Sequence, residues 1–358
     1  MSSPPQPTNL AIFSTKPYDR ASLTRTHSTL SPALRDSITL TFHDFPVSEE
    51  TAPLARGAHA VCVFVNDTLS PPVLQSLHSA GVRAVLLRCA GYNNVDLATA
   101  ESLGLFVARV PAYAPEAVAE FAVALVLAVN RKTHRAYNRV REGNFSLDGL
   151  MGHTMRGKTV GVVGTGKIGV AFARIMQGFG CRLLAYDPFP VEGFRELGGE
   201  YRPLEEVLKE SDYVSLHCPL TDETERVINE QTLGMMKKGA VLVNTSRGGL
   251  VDTKSVIAAL KSKHLGGLAL DVYDGEGAIF YQDRSTEIIQ DDELMRLMTF
   301  PNVVVCGHQA FFTEEALTEI AECTLRNLED FMNRVPCPNS LVREGHLLVR
   351  RESLPVRI

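Results

Sequence analysis

Several features that define particular protein classes are missing from this sequence. The seven cysteines are scattered, and no two of them have C-x-x-C spacing. An odd, unpatterned set of cysteines argues against a disulfide framework or a metal site and favours a reducing compartment. The net charge is only -5 and no block of like charges occurs. We therefore expect neither a nucleic-acid partner nor a basic patch that binds membranes.

The chain also lacks the segments that direct a protein into or across a membrane. Its longest apolar stretch, Phe121 to Val129, is about half of what a membrane-spanning helix needs. The first residues, M-S-S-P-P-Q-P-T-N, do not have the charged-then-apolar layout of a signal peptide. These absences predict a cytoplasmic protein.

The composition, 45% hydrophobic and 22% charged, is typical of a globular protein. A chain of 358 residues is expected to form two domains. Short apolar runs rich in β-branched residues alternate with helical patterns along most of its length. The predicted strands are 10–14, 38–43, 60–65, 84–88, 106–110, 159–163, 182–186, 213–217, 240–244, 267–270 and 302–306.

Helical patterns lie between these strands. Strands that are apolar nearly throughout fit parallel sheets covered by helices on both faces. The predicted fold class is therefore α/β, with two doubly wound parallel-sheet domains. The predicted helices include 72–80, 96–103, 115–131, 167–179, 204–209, 253–262 and 314–333.

Two of these helices, 115–131 and 314–333, are long and flank the second group of strands. If they are the crossings between domains, the first domain is discontinuous. The segment from Pro336 contains turn formers and charges but no clear period, and we interpret it as a partly ordered tail.

The motif with the most specific chemical meaning is G-T-G-K-I-G, which follows a predicted strand and opens a helix. Gly164 permits a tight turn, Gly166 lets the backbone approach a pyrophosphate, and Gly169 allows the helix to lie close to its strand. The amides near Lys167 and Ile168 then face the phosphates at the positive end of the helix. The motif predicts a dinucleotide-binding site.

An acid at the end of the next strand makes this prediction more specific. Asp187 lies eighteen residues after Gly169 (187 − 169). A carboxylate there can accept hydrogen bonds from both ribose hydroxyls and would repel a 2′-phosphate, so NAD is favoured over NADP. The alternative is a glycine-rich turn without a ligand, which the combination of strand, helix and acid disfavours.

Polar residues follow several strands of the second group, at the edge where open α/β sheets bind ligands. Arg247, in S-R-G-G, is either a fork for a substrate carboxylate or a surface arginine in a turn. His308 can donate a proton to a carbonyl oxygen, and Glu276 can pair with it and favour the imidazolium. For His217 we favour a buried histidine with satisfied hydrogen bonds. Beside a nicotinamide, Arg247, His308 and Glu276 supply the groups needed to reduce a 2-keto acid.

Longer motifs occur in order between about Val61 and Met332. In them the sequence resembles the D-isomer-specific 2-hydroxyacid dehydrogenase family, and within it the D-lactate dehydrogenases. Residues 1–9, which look like an extension, the stretch 277–293 and the tail after Pro336 carry little of the resemblance. The motifs are L-R-C-A-G-Y-N-N-V-D-L, V-P-A-Y-A-P-E-A-V-A-E, G-V-V-G-T-G-K-I-G, S-L-H-C-P-L-T, N-T-S-R-G-G-L-V-D, L-D-V-Y-D-G-E and G-H-Q-A-F-F-T.

The resemblance implies a domain organisation and a site. Residues 1–111 and 309–358 would form a discontinuous, flavodoxin-like substrate domain. Residues 112–308 would form the Rossmann NAD-binding domain and, as in relatives, the main contact of a homodimer. Arg247 would bind the substrate carboxylate, and His308 would be the acid/base with Glu276 as its partner. Further implied contacts are Ala90 and Gly91 (backbone amides), Tyr113 and Phe311 with the substrate, and Lys167, Ile168, Asp187, Cys218, Pro219, Thr224, Thr245, Ser246 and Asp271 with the cofactor.

The expected reaction is the NAD-dependent interconversion of a 2-keto acid and a D-2-hydroxy acid, with pyruvate and D-lactate as the first choice. Two alternatives stay open. One is a glyoxylate/hydroxypyruvate reductase of the same family, against which the aromatic Tyr113 and Phe311 favour a small methyl-bearing substrate. The other is a non-catalytic NAD(H)-sensing protein like the corepressor relatives of this fold, against which the complete set of Arg247, Glu276 and His308 favours catalysis.

Overall fold

The structure, a computed structural model, describes residues 7–343 and 346–347. The chain divides into two compact units. Among the described residues, unit 1 contains those up to Ala114 and those from Thr313, and unit 2 spans Pro115–Phe312. The boundaries lie three and four residues beyond the predicted 111 and 308 (114 − 111 and 312 − 308). The second shift arises because the backbone after His308 is hydrogen-bonded to Asp271 of unit 2.

The N-terminal part of unit 1 forms a five-stranded parallel sheet in the order β2-β1-β3-β4-β5, which is the flavodoxin-like order. Strands β3 and β4 are buried throughout, so their sequences show no polar alternation. The strands are β1 (Thr8–Ile12), β2 (Ile38–Phe42), β3 (Ala60–Val63), β4 (Ala84–Leu87) and β5 (Phe106–Arg109), and the helices are α1 (Pro17–Thr29), α2 (Pro32–Asp36), α3 (Pro71–Ser79) and α4 (Leu97–Ser102), with a 3-10 turn at Ala52–Ala55.

Helix α1 was not predicted, because the face that it buries is mostly polar. Asp19, Ser22 and Thr26 are buried beside Leu23. The Ser22 hydroxyl donates to the carbonyl of Leu317 at 2.8 Å, and the Asp19 carboxylate lies 3.2 Å from the guanidinium of the buried Arg88. A helix fixed by polar contacts has no hydrophobic period for a sequence pattern to detect.

Unit 2 contains a seven-stranded parallel sheet in the order β8-β7-β6-β9-β10-β11-β12, a Rossmann order with a seventh strand. The unit also has 3-10 turns at Gly248–Leu250 and Glu276–Ala278. Its strands are β6 (Thr159–Val163), β7 (Arg182–Tyr186), β8 (Glu200–Tyr201), β9 (Tyr213–Leu216), β10 (Val241–Asn244), β11 (Gly267–Leu270) and β12 (Val303–Val305), and its helices are α5 (Pro115–Arg131), α6 (Thr133–Arg141), α7 (Lys167–Gly178), α8 (Glu192–Arg195), α9 (Leu204–Glu210), α10 (Glu230–Met235), α11 (Thr253–Lys261) and α12 (Asp292–Met298).

The chain then returns to unit 1 with α13 (Glu314–Asn333), β13 (Val342–Arg343) and β14 (His346–Leu347). The amide of Leu341 donates to the carbonyl of Val107 in β5 at 2.7 Å, and Val342 is buried in the core. The segment from Pro336 is therefore ordered up to this point, while 344–345 and 348–358 lie outside the described residues.

The prediction that residues 1–9 form an extension is wrong for its last two residues. Thr8 and Asn9 belong to β1, where they pair with Ile38 and Thr39 of β2. Residues 1–6 lie outside the described part. The predicted fold class, with two parallel α/β sheets, is confirmed. Within the described residues, no helix is both long and apolar enough to cross a membrane, and no group of three or more His, Cys, Asp or Glu side chains is arranged to hold a metal ion.

Candidate active site

The glycine motif lies where the backbone that follows β6 packs directly against the backbone that follows β9. We call this close approach of Gly164 to His217 and Cys218 the glycine crossing. Gly164 has a φ of +94°, and a Cβ there would lie 2.6 Å from the amide nitrogen of Cys218. A Cβ on Gly169 would meet the carbonyl oxygen of Gly164. Only glycine fits both positions, because one needs a left-handed backbone and both need the space of a missing side chain. The crossing brings the first turn of α7 directly onto the carboxyl edge of the sheet.

The start of α7 offers backbone donors at this edge. Gly166 is the N-cap residue and no side chain caps the helix. Lys167 is the first helical residue and is exposed, and Ile168 packs partly against the core. The first amides of a helix have no intrahelical acceptor and carry its positive dipole end. These donors fit a pyrophosphate.

Asp187 follows β7 and is hydrogen-bonded to the glycine motif. Its Oδ2 accepts the Thr165 amide at 2.6 Å and the Thr165 hydroxyl at 2.9 Å. Its Oδ1 accepts the Phe189 amide at 2.8 Å. The Tyr201 hydroxyl also donates to Thr165 Oγ1 at 2.8 Å. Asp187 thus shapes the loop that it was predicted to complete, a contact that the sequence pattern did not reveal.

The two residues directly after β9 are buried in forms that carry no charge near neutral pH. The Nε2 of His217 lies 2.9 Å from the Ser215 hydroxyl, its ring centroid is 4.9 Å from that of Phe172, and burial lowers its pKa to about 3. The prediction of a satisfied core histidine is confirmed. Burial raises the pKa of Cys218 to about 12, so its thiol cannot serve as a thiolate nucleophile near neutral pH.

Hydroxyl groups hold the loop after β9 together and connect it to the loop after β10. Thr224 Oγ1 donates to the carbonyl of Pro219 at 2.6 Å, and Ser246 Oγ donates to the carbonyl of Cys218 at 2.5 Å. The buried Oγ1 of Thr245 has no hydrogen-bond partner within the described residues. A buried hydroxyl of this kind is suited to contact a ligand. Together with the uncapped α7 and the Gly164 crossing, these loops fit a bound dinucleotide.

Arg247 lies three residues after the end of β10, as the N-cap residue of the turn Gly248–Leu250. Asn244 donates to the Arg247 carbonyl at 2.8 Å and so fixes its backbone. The guanidinium donates through Nη1 to the carbonyl of Ser246 at 2.7 Å. A Cβ on Gly248 would overlap the backbone of Tyr273, which explains why glycine follows the arginine. The remaining N–H groups of the guanidinium suit a planar carboxylate.

His308 and Glu276 form a close pair. His308 Nδ1 lies 2.6 Å from Glu276 Oε1, with side-chain exposures of 17% and 16%. The other oxygen of Glu276 accepts the Tyr273 amide at 2.8 Å. Because Nδ1 is bonded to the carboxylate, Nε2 is the nitrogen that can exchange a proton with a substrate.

Asp271 fixes the turn that carries His308. Its side chain is fully buried, and its two oxygens accept the amides of Gln309 at 2.9 Å and Ala310 at 2.8 Å. Its carbonyl accepts the His308 amide at 2.7 Å. Burial raises the pKa of Asp271, and the backbone donors oppose this shift. The resemblance implied only a cofactor contact for this residue, and its hold on the turn was missed.

Two aromatic side chains lie beside the His308 ring. The ring of Phe311, predicted to contact the substrate, is buried and perpendicular to it, with the centroids 6.5 Å apart. The ring of Tyr281, which was not predicted, has its centroid at 5.9 Å. Its hydroxyl donates to the His308 carbonyl at 2.9 Å.

The remaining predicted substrate residues belong to unit 1. Ala90 and Gly91 follow β4, and the Ala90 carbonyl accepts Nη1 of Arg109 at 2.7 Å. The guanidinium of Arg109 also lies 5.1 Å from the centroid of the Tyr92 ring. Tyr113 is half-buried after β5. Their contact with a substrate stays a prediction.

The Rossmann sheet, the glycine crossing and the acid after β7 define an NAD-binding oxidoreductase. The model of the D-isomer specific 2-hydroxyacid dehydrogenase NAD binding domain matches residues 123–310. Over 98% of its length and 99% of the relative's, the chain is 64% identical to 2-hydroxyacid dehydrogenase A of Aspergillus oryzae. It is 63% identical to D-lactate dehydrogenase kk1H of Curvularia clavata, covering 96% of this chain and 98% of that one.

A solved structure gives the same result. The apo-structure of D-lactate dehydrogenase from Escherichia coli aligns with a TM-score of 0.85 and 50% identity, covering 94% of this chain and 100% of that chain. The chain belongs to the D-isomer specific 2-hydroxyacid dehydrogenase family. The predicted enzyme class, an NAD-dependent D-2-hydroxyacid dehydrogenase, and the predicted cofactor are confirmed.

Proposed function

We propose that this enzyme interconverts pyruvate and D-lactate. The observation that carries the proposal is the pair of His308 and Glu276 at 2.6 Å, on the sheet edge that also carries Arg247 and the glycine crossing. The D-lactate dehydrogenases of C. clavata and E. coli, 63% and 51% identical to this chain, support pyruvate as the substrate.

Bound NADH supplies the hydride for the carbonyl carbon. Arg247 binds the substrate carboxylate through two parallel N–H groups, which fixes the orientation of the 2-keto acid. His308 Nε2 donates a proton to the carbonyl oxygen as negative charge develops there. Glu276 keeps the ring in place through Nδ1 and stabilises the imidazolium form. In the reverse direction, neutral His308 accepts the hydroxyl proton.

The remaining site residues follow from the same arrangement. We propose that Phe311, beside His308, lines the substrate pocket. The cofactor contacts are assigned to the glycine motif, to Asp187 and to the loops after β9, β10 and β11. Thr245→Ala is expected to weaken NADH binding because it removes the buried hydroxyl that we assign as a cofactor contact.

The test is NADH oxidation with pyruvate, glyoxylate, hydroxypyruvate and phenylpyruvate offered separately, followed by chiral analysis of the product. We expect the highest kcat/KM with pyruvate and D-lactate as the product. His308→Ala should reduce turnover severely, to a small residual rate, and leave the Kd for NADH nearly unchanged. A higher kcat/KM with glyoxylate or hydroxypyruvate would assign the enzyme to that reductase class, and NADH binding without turnover would contradict catalysis.

We further propose that the protein is a homodimer and acts in the cytoplasm. Large apolar side chains of α6 and the segment after it are exposed, a pattern typical of interaction surfaces. All seven cysteines are free, which suits a reducing compartment. Light scattering of the wild type and of Leu147→Asp tests the dimer, and fractionation of a tagged chain tests the compartment. The exposed side chains are Tyr137, Val140, Phe145, Leu147 and Met151.

A further inference from the structure

The segment between β11 and α12 contacts His308 at two different places. Glu276 Oε1 lies 2.6 Å from Nδ1 of the ring. Five residues later (281 − 276), the Tyr281 hydroxyl donates to the main-chain carbonyl of His308 at 2.9 Å. One contact restrains the imidazole and the other restrains the peptide that carries it.

The backbone of His308 needs such restraint. Its φ is +54°, in the left-handed region that non-glycine residues rarely adopt. Asp271 holds the turn through the amides of Gln309 and Ala310. The His308 amide is bound by the Asp271 carbonyl at 2.7 Å. Tyr281 supplies the bond on the carbonyl side.

Tyr281 is itself held in an unusual backbone conformation. Its φ is +64°, and its ring packs at the edge of the apolar cluster of Tyr273, Phe280 and Leu294. Packing alone would need only the ring, which phenylalanine also provides. The hydroxyl contributes the bond to His308, so the two functions of this side chain can be separated by experiment.

We propose that Tyr281 is a positioning residue for His308. By fixing the peptide plane after His308, it keeps Nε2 at the place where the proton is transferred, while Glu276 fixes the rotation of the ring. This role rests on the proposed function, because it acts through His308 as the acid/base. We assign neither proton transfer nor a substrate contact to Tyr281.

Tyr281→Phe tests the hydroxyl and leaves the ring. Loss of one hydrogen bond of about 0.5–1.5 kcal/mol in the transition state corresponds to a kcat about 2- to 13-fold lower. We expect KM for pyruvate and Kd for NADH to change less than about 2-fold, because Arg247 and the glycine motif are untouched. The solvent deuterium isotope effect on kcat should increase, since proton transfer becomes slower relative to the other steps.

A double-mutant cycle separates positioning from a general structural effect. In the His308→Ala background, Tyr281→Phe should change the residual rate by less than about 1.5-fold, because no imidazole remains to be positioned. The matched control is Tyr213→Phe, which also removes a tyrosine hydroxyl. Tyr213 is the first residue of β9 and so lies at the amino edge of the sheet, opposite the carboxyl edge that carries His308. The control variant should leave kcat and the isotope effect at wild-type values.

Each outcome decides the proposal. Wild-type kcat and isotope effect in Tyr281→Phe would overturn it and leave the proposed function intact. An equal loss in the wild-type and His308→Ala backgrounds would also overturn it, since the effect would then not pass through His308. A wild-type enzyme inactive on every 2-keto acid would overturn the proposed function and the role of Tyr281 with it. Melting temperatures, measured in parallel, show that each variant is folded.

Discussion

Replacing Gly164 by alanine perturbs the backbone crossing on which the cofactor site is built. The new methyl group would lie 2.6 Å from the Cys218 amide nitrogen and 2.7 Å from the His217 carbonyl carbon. Real Cβ atoms do not approach backbone atoms this closely, so the strand ends must separate. The residue must also keep a φ of +94°, which a side chain disfavours.

Two contributions set the magnitude. A left-handed conformation costs a non-glycine residue about 1–2 kcal/mol, and overpacking a closely packed position costs about 1–3 kcal/mol. The expected destabilisation is therefore about 2–5 kcal/mol. For a unit of this size, each kcal/mol lowers the melting temperature by about 3 °C, so we expect a decrease of about 6–15 °C.

The assay is thermal unfolding of Gly164→Ala with and without NADH, together with NADH binding. The chain has no tryptophan, so binding is followed through the fluorescence of NADH itself. Because the crossing carries the first turn of α7, we expect Kd for NADH to rise at least about 10-fold, which corresponds to 1.4 kcal/mol. The stabilisation of the protein by NADH should shrink accordingly.

Gly178→Ala is the matched control. Gly178 is the last residue of the same helix, and a Cβ there would meet nothing within 4 Å. Alanine should stabilise the helix by up to about 1 kcal/mol and leave NADH binding unchanged. If Gly164→Ala had the melting temperature and the NADH affinity of the wild type, the crossing would not have the tight geometry described above.

Three further predictions concern single side chains. Glu276→Gln replaces a charge-assisted hydrogen bond by a neutral one, a difference of about 1–1.5 kcal/mol, so kcat/KM for keto-acid reduction should fall about 5- to 13-fold. Asp187→Asn removes the charge that repels a 2′-phosphate, and the ratio of kcat/KM for NADPH to that for NADH should rise at least about 5-fold. Burial lowers the pKa of His217 from 6.5 to about 3, so its neutral form stabilises the fold above pH 6.5 and this contribution is lost as the pH falls towards 3. Between pH 7.5 and 5.5, His217→Gln should therefore lose about 1.4 kcal/mol less of its free energy of unfolding than the wild type, measured by urea denaturation.

Controls make these results decisive. Glu287→Gln changes an exposed carboxylate of the same segment, paired with Arg284, and should leave kcat/KM unchanged. Equal losses in Glu276→Gln and Glu287→Gln would contradict the pairing with His308. An unchanged cofactor preference in Asp187→Asn would remove this carboxylate as the discriminating group. Parallel pH dependence of wild type and His217→Gln would mean that His217 does not titrate as its burial requires.

Strands and the longest helices could be predicted because their burial is uniform or strictly periodic. Strands β6 and β7 and helices α5 and α13 have the predicted bounds. Helix α6 was missed because it has no buried residue. Helices α10 and α12 were not predicted either, because they are short. Their N-cap residues Asn229 and Asp291 accept backbone amides of the first turn, and this capping signal was available in the sequence.

The site was predictable where chemistry and local spacing coincide. The role of the motif glycines and of the residues after the strands can be read from a few neighbouring positions in the sequence. The contacts that hold these residues in place cannot be read in this way. Asp271 binds the amide of Ala310, which is 39 residues away, and Tyr281 binds the carbonyl of His308, which is 27 residues away. Such pairs are set by tertiary structure, so a single sequence gives no pattern that reveals them.

The discontinuity of unit 1 has a consequence for synthesis on the ribosome. Unit 2 is a continuous segment, so all of its strands are available once residue 312 has emerged. Unit 1 lacks α13 and the Leu341 bond to β5 until residues 314–341 have also emerged. Helix α1 meanwhile has no partner for its Ser22 hydroxyl, which binds Leu317 in the native state. We therefore expect unit 2 to become protease-resistant first, and the part of unit 1 that precedes Pro115 to depend on chaperones until residues 314–341 have emerged.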